Sequence, residues 1–239
     1  MKLIVSLTST SRRIDGVHRV LSSLREQTLM PDEVYLFLSH EAYIFDGGIA
    51  KAPKALRELA KVRFVPNTGP YRKLLPILQE KWGQEVLIVT VDDDTDYPEY
   101  FLRRLVREYD HCGCVVSIRG RKIVPGKHYW EWPNIEKARE PRMSSFPVGQ
   151  SGILYHPKFF TERVFDGEAM KLCPFADEPW IHCNTRLTNT PARILGGRFS
   201  LIHEYDRRLY SINQTENDVQ LMAAAKYLGL DDFAANLVV

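Results

Sequence analysis

Three consecutive carboxylates, Asp92-Asp93-Asp94, follow directly on the apolar, β-branched run Val86-Leu87-Ile88-Val89-Thr90-Val91. Adjacent like charges repel, which costs stability unless a cation neutralises them. Hard divalent ions such as Mg²⁺ or Mn²⁺ take oxygen ligands of this kind, usually one or two carboxylates completed by substrate phosphates. A second acidic pair, Asp177-Glu178, stands before Pro179, where a helix can start. Capping and compensation of the helix dipole would by themselves explain acids there. Two cations, Arg72 and Lys73, lie in the first turn of a helix opened by Asn67-Thr68-Gly69-Pro70. Cations oppose the dipole at that end, so they call for a nearby anion and are candidates for a phosphate contact. Thr8-Ser9-Thr10-Ser11-Arg12-Arg13 adds hydroxyls and guanidinium groups, which suit an anionic ligand.

Two other readings of the acid triplet fail on their spacing. An EF-hand loop using Asp92, Asp94 and Asp96 needs Gly where Tyr97 stands and Glu where Arg103 stands. A phosphatase with an aspartate nucleophile would carry its acids after the first strand, not deep in the chain.

These groups need a scaffold. Leu3 to Leu7 reads as a first strand. Ile14, Val17, Val20, Leu21 and Leu24 mark an amphipathic helix, and Glu33 to Leu38 forms a second strand. Strand, helix and strand in this succession imply a parallel pair. A helix follows over Pro53 to Leu59, then a third strand over Val62 to Val65. The run ending in the triplet is the fourth strand, buried on both faces as in parallel sheets. Its carboxyl end is the edge where open α/β sheets bind ligands. Tyr100, Phe101, Leu105, Val106 and Tyr109 line the helix after it, and Cys114 to Ser117 is a short fifth strand. From Arg119 to Phe146 periodicity fades among His128, Tyr129, Trp130, Glu131 and Trp132. Such a stretch is usually functional or mobile, and its aromatics suit sugar stacking or the core. Val148 to Pro157 reads as a loop with Gly149 and Gly152 running into a strand, with close backbone approach at the glycines. Ala192 to Leu195 is a last strand, and a final helix opens at Asn217.

With 239 residues, of which 44% are hydrophobic, the chain can bury one large α/β core. A net charge of +2 with dispersed Lys and Arg does not point to nucleic acid. No apolar run reaches the ~20 residues of a membrane span. The N-terminus is too short for a signal peptide before its first strand, so a cytoplasmic protein with reduced thiols is expected. The four cysteines fit no disulfide framework or zinc knuckle, His111-Cys112-Gly113-Cys114 included.

Taken together, several stretches resemble bacterial GT-A glycosyltransferases of the family 2-like group. They are Ser6 to Gln27, Asn67 to Pro76, Asp92-Asp93-Asp94 as a DXD motif, and Gly149 to Pro157 followed by Ala176 to Trp180. The resemblance runs from about Lys2 to Gln220. It implies a GT-A (Rossmann-like) α/β fold, a mixed and mostly parallel sheet flanked by helices. Residues 1-239 would form one domain, with a nucleotide-sugar-binding half over 1-117 and an acceptor-binding, catalytic half over 118-239. It implies a nucleotide-sugar donor, a UDP-sugar first, with Mn²⁺ or Mg²⁺ and a saccharide or lipid-linked saccharide acceptor. Any membrane contact would be peripheral, at the inner face. By the same resemblance Asp92 and Asp94 would serve the metal, with His203 as a third ligand. Thr8, Ser9, Arg12, Arg72, Lys73, Asp92 and Asp93 would face the nucleotide. Glu178 aligns with the catalytic base, although the group usually has Asp there, so Asp177 is the alternative. Ser39 stands where many members hold an Asp on the nucleotide base. Two rival readings are a sugar nucleotidyltransferase and a non-catalytic carbohydrate-binding protein. The first would carry a glycine-rich loop after strand one, and Thr8 to Arg13 has no glycine.

Overall fold

The structure is a computed structural model and describes residues 1–202 and 208–238. Strand β1 (Lys2–Thr8) leads through helix α1 (Val17–Arg25) to β2 (Glu33–Leu38). Helix α2 (Lys54–Leu59), β3 (Lys61–Phe64), α3 (Leu75–Glu80), β4 (Val86–Thr90) and α4 (Phe101–Cys112) follow. Then come β5 (Val115–Lys122), β6 (Ser145–Tyr155), α5 (Ala169–Leu172), α6 (Glu178–Leu187), β7 (Ala192–Ile194), α7 (Arg208–Tyr227) and α8 (Asp231–Ala234). One sheet carries the strands in the order β3-β2-β1-β4-β6-β5-β7. β6 runs antiparallel to both its neighbours, and the other adjacent pairs are parallel. The mixed, mostly parallel α/β sheet expected from the strand and helix succession is therefore the architecture.

The expected patterns match the burial. Every residue of β4 is buried, as a central strand covered on both faces requires. α1 buries Val17, Val20, Leu21 and Leu24, and α4 buries Phe101, Leu102, Leu105 and Tyr109. Tyr100 lies outside α4, with its ring largely exposed. A contiguous core runs from Leu3 to Ala234. A boundary near Ser117 falls inside β5, so the two expected halves share a strand.

Three elements differ from expectation. β5 continues past Ser117 to Lys122, and β6 is an eleven-residue strand where a loop leading into a strand was expected at Val148. The extended pairing resumes beyond an irregularity between Ser117 and Arg119, which breaks the alternation that would have revealed it. α7 starts at Arg208 rather than Asn217. Its mid-helix polar residues are buried anchors: Asp218 accepts the Tyr129 N–H at 2.7 Å, and Gln220 accepts the Phe175 N–H at 2.9 Å. That docking gives the aperiodic 119–146 stretch its place, with Tyr129 and Trp132 buried and Trp130 exposed.

The apolar C-terminal segment folds back onto the protein. Phe233 is buried, with the Arg186 guanidinium 3.8 Å from its ring centre. Among the described residues no helix is long and apolar enough to cross a membrane.

Gly120 holds the β5, β6 and β7 junction together. A Cβ built there would lie 2.5 Å from the Ile194 side chain and 2.7 Å from the Phe146 carbonyl oxygen. Gly120→Ala is therefore expected to cost about 1–3 kcal/mol by overpacking, read as a lowered denaturation midpoint. An unchanged midpoint would show that this junction yields freely.

Candidate functional site

The site begins where β4 stops. Val91 donates its N–H to the Ser6 carbonyl at 3.0 Å, so the ladder to β1 closes one residue before the acids. Asp92 then donates its N–H to the buried Tyr97 hydroxyl at 2.9 Å. The chain turns tightly, and Ile202 donates to the Asp94 carbonyl at 2.8 Å. With the backbone so fixed, the three carboxylates point to different partners.

Asp93 turns inward. Its Oδ2 accepts the Ser9 hydroxyl at 2.6 Å and its Oδ1 accepts Arg13 Nη1 at 3.0 Å. The same Arg13 nitrogen reaches Asp94 Oδ2 at 3.0 Å. Asp92 meets Lys73 Nζ at 3.3 Å. Asp92 and Asp94 both keep part of their side chains open to solvent, 27% and 17%. Burial and the neighbouring Asp92 and Asp93 push the Asp94 carboxyl up to about 7, against Arg13. Burial also raises that of Asp93.

Lys73 joins this triplet to the second acidic pair. Its Nζ lies 3.5 Å from Asp177 Oδ1, and its side chain is 10% exposed. Burial would lower its pKa, but Asp177, Asp92 and Glu178 outweigh that and hold it well above the usual lysine range. Asp177 occupies the residue before α6, yet its side chain makes no capping hydrogen bond. The plain capping explanation is therefore not the one realised. Asp177 is nearly buried, and burial, with Glu178 and Asp92 adding to it, pushes its carboxyl up to about 7 despite Lys73.

Glu178, half-buried in the first turn of α6, accepts the Gly149 N–H at 3.1 Å through Oε1. A Cβ on Gly149 would come within 2.8 Å of that oxygen and 3.0 Å of Lys73 Nζ. The close backbone approach expected at this glycine is thus to a carboxylate and an ammonium. At Gly152 it is to the Phe101 ring, 2.5 Å from a built Cβ, with φ +94°.

Several groups expected to face a ligand are engaged inside the protein. The Thr8 hydroxyl donates to the Phe37 carbonyl at 2.8 Å, and Ser9 is held by Asp93. Arg72 and Lys73 end the short turn Gly69–Lys73 before α3 starts at Leu75 rather than lying in a helix's first turn, and Arg72, 1% exposed, is not the open phosphate contact expected there. It donates to Asp46 Oδ2 at 2.9 Å and to the Ser9 and Gly69 carbonyls. Asp46 also accepts the N–H groups of Ser11 and Gly48 at 2.9 and 3.1 Å. Burial works against its charge, but these amides and Arg72 prevail and keep its pKa low. Arg12 is exposed at the rim. His203 lies outside the described residues. Sequence reasoning did not single out Asp46, nor Arg13 as the cation of the triplet. The Asp46-Gly47-Gly48 turn was the available signal for the first.

For a divalent ion the donor chemistry fits. Asp92 and Asp94 offer hard carboxylate oxygens with part of their surface open. Among the described residues no group of three or more His, Cys, Asp and Glu side chains gathers as a metal cage.

The Lys73 ion pairs generate two predictions. Lys73→Met strands a buried Asp177 and is expected to cost about 3–5 kcal/mol, the range for removing one partner of a buried pair. The loss should be largest above pH 7 and shrink below it, where Asp177 takes up a proton; a pH-independent loss in chemical denaturation would contradict the pairing. Second, Asp177 holds its proton up to about 7 in the folded chain but only to the ordinary 3.8 when unfolded. Its contribution to stability is therefore present below about pH 4 and is lost as pH rises to 7. Burial holds His182 down to about 3, which acts in the opposite direction between about 3 and 6.5. Comparison with Asp177→Asn cancels that term: wild type minus variant stability should fall as pH rises through 7, and a flat difference would refute the assignment.

No family model and no curated protein matches the chain. Among solved structures it is similar to residues 1-349 of S. aureus TarS, with a TM-score of 0.56 and 16% identity over 100% of this chain and 67% of that one. The same TarS piece in complex with UDP-GlcNAc gives 0.56 and 15%, covering 100% and 68%. A longer TarS structure is matched over 41% of its length. A 4-diphosphocytidyl-2C-methyl-D-erythritol synthase gives 0.51 and 13% over 89% of this chain and 97% of that one. At such identities the likeness shows the fold: this chain has the GT-A, Rossmann-like arrangement.

Proposed function

We propose that the protein is a nucleotide-sugar-dependent glycosyltransferase that moves a sugar to a saccharide or lipid-linked saccharide acceptor, with inversion, in bacterial surface polysaccharide synthesis. The observation that carries this reading is the Lys73 bridge. One ammonium touches both the triplet after β4 and the pair at the start of α6, so both carboxylate sets belong to one site at the carboxyl edge of the sheet. The S. aureus TarS structures with UDP and UDP-GlcNAc support a UDP-sugar as donor.

In this reading Glu178 is the general base. It is half-buried and oriented by the Gly149 amide, whereas Asp177 is buried against Lys73. The Glu178 carboxylate takes the proton of the acceptor hydroxyl as that oxygen attacks the anomeric carbon from the face opposite the diphosphate. Asp177 fixes Lys73, whose charge lies beside the departing phosphates. Asp92 and Asp94, with His203 as the third ligand the family resemblance implies, would hold Mg²⁺ or Mn²⁺, which would supply neutralisation of the diphosphate charge. Asp93, Ser9 and Arg13 hold the triplet in shape, and Arg12 is the exposed cation of the nucleotide rim. The enzyme would act at the cytoplasmic face of the membrane, with at most peripheral contact.

The likeness to the diphosphocytidyl synthase, which spans 97% of that chain, favours a nucleotidyltransferase as the second reading. The two differ in their product, nucleoside diphosphate from a transferase and pyrophosphate from a nucleotidyltransferase. With a panel of UDP-sugars and Mn²⁺, UDP release in the presence of acceptor is expected. Glu178→Gln should lower kcat by about 10²–10⁴-fold, the usual contribution of a general base, with the donor Kd from calorimetry unchanged. Wild-type turnover in both Glu178→Gln and Asp177→Asn would defeat the assignment, and pyrophosphate release from a nucleoside triphosphate would transfer it to the second reading.

A further inference from the structure

Cys112-Gly113-Cys114 is a motif that the proposed transfer does not use. It stands where α4 ends and β5 begins. α4 departs from the carboxyl edge of β4, and β5 runs in the same direction as β4, since both are antiparallel to β6. The motif therefore lies at the rim of the sheet opposite the acid cluster. Gly113 closes α4 in the left-handed region, φ 58° and ψ 28°, with its N–H on the Tyr109 carbonyl at 2.7 Å. A Cβ there would meet nothing within 4 Å, so the reversal itself is what asks for glycine.

That reversal brings the two sulfurs to 2.8 Å from each other, as free thiols in hydrogen-bond contact. Their surroundings differ. Cys114 is buried and Cys112 is half-buried, so Cys112 is the more accessible of the pair. From β7, Arg193 presents its guanidinium to this corner, where Nε lies 3.1 Å from Glu108, one turn before Cys112 on α4. The hydrogen bond from Cys114 brings the Cys112 thiol down to about 7, aided by Arg193 and opposed by burial and Glu108. The same contact, with burial, drives the Cys114 thiol up. Cys112 thus has the character of an attacking sulfur and Cys114 that of a resolving one. Among the described residues no third His, Cys, Asp or Glu completes a metal site here.

We propose that Cys112 and Cys114 form a reversible dithiol–disulfide site that exchanges with small disulfides of the glutathione class. The Cys112 thiolate attacks one sulfur of the reagent, its S–S bond breaks, and the first thiolate leaves. That thiolate takes the Cys114 proton. Cys114 then attacks the Cys112 sulfur of the mixed disulfide and expels the second thiolate, which takes the proton Cys112 gave up. One S–S bond is broken and one is made; two cysteines are oxidised by two electrons and the reagent is reduced by two. The product clamps the end of α4 to the start of β5. The site is independent of the proposed transferase reaction.

The test is to equilibrate the folded protein with graded ratios of oxidised to reduced glutathione, quench with acid, alkylate, and map the peptides by mass. The peptide carrying Cys112 and Cys114 is expected to lose two hydrogens and resist alkylation as the ratio rises, while Cys173 and Cys183 stay alkylatable after unfolding. Cys114→Ser should accumulate a glutathione adduct on Cys112, and Cys112→Ser should leave Cys114 largely unmodified. Full alkylation of both cysteines at every ratio in the wild type would overturn the proposal. So would a disulfide to Cys173 or Cys183, or adducts forming first on Cys114.

Discussion

The charge on one buried ammonium organises the functional edge of this protein. Five carboxylates, those of Asp92, Asp93, Asp94, Asp177 and Glu178, gather around the ends of β4 and α6. Lys73 and Arg13 form ion pairs with them. Buried carboxylates are tolerated only when paired and hydrogen-bonded. Arg13 serves the inner part of the triplet, and Lys73 serves Asp92 and Asp177 across the gap between two elements far apart in sequence. The two partly open aspartates, 92 and 94, are where this cluster faces solvent.

The sheet explains why these groups converge. β1 and β4 are parallel neighbours, so the loop after Thr8 and the turn after Val91 emerge at the same edge. Ser9 and Arg13 can reach the triplet for that reason alone. β6 enters next to β4 in the opposite sense and lays its backbone beside α6 at Gly149. With any side chain on Gly149, Glu178 and Lys73 would have to give way. The antiparallel strand thus adds a backbone contact to Glu178 beside the Lys73 bridge, and the absence of a side chain on Gly149 permits it.

Much of this was legible in the residues and some was not. The β4 run announces itself through continuous apolar, β-branched residues, and its abrupt acidic end marks the edge. Two adjacent cations read as opening a helix signal a nearby anion; they instead close the turn Gly69–Lys73 ahead of α3, and the anions include the protein's own Asp46, Asp92 and Asp177. What sequence alone does not disclose is which partner each takes. Asp46 lies 26 residues before Arg72, and Asp177 lies 104 after Lys73, separations that only the fold closes. The first half of β6 is hidden in the sequence because Ser145 to Gly149 mixes proline, serine and glycine. Its pairing depends on β5 beyond the irregularity near Arg119 rather than on its own pattern. The start of α7 was placed late for a related reason: Asn217 and Asp218 look like a helix opening, yet they are buried polar anchors within it.

The fate of the hydroxyls sharpens the physical picture of the edge. Thr8 and Ser9 have the residue types of a phosphate loop, but β2 and Asp93 consume their donors. Arg72 is consumed in the same way by Asp46 and two backbone carbonyls. Ser9 and Arg72 are inner supports that hold Asp93 and Asp46 in one orientation, while Thr8 ties β1 to β2. Preorganisation of this kind means that the reorganisation cost of placing charged groups is met during folding rather than at the moment of reaction. A ligand at this edge therefore meets a rim already set by buried pairs beneath it. The more of the sequence's polar residues are engaged below, the fewer and the better defined are those left to choose what binds above.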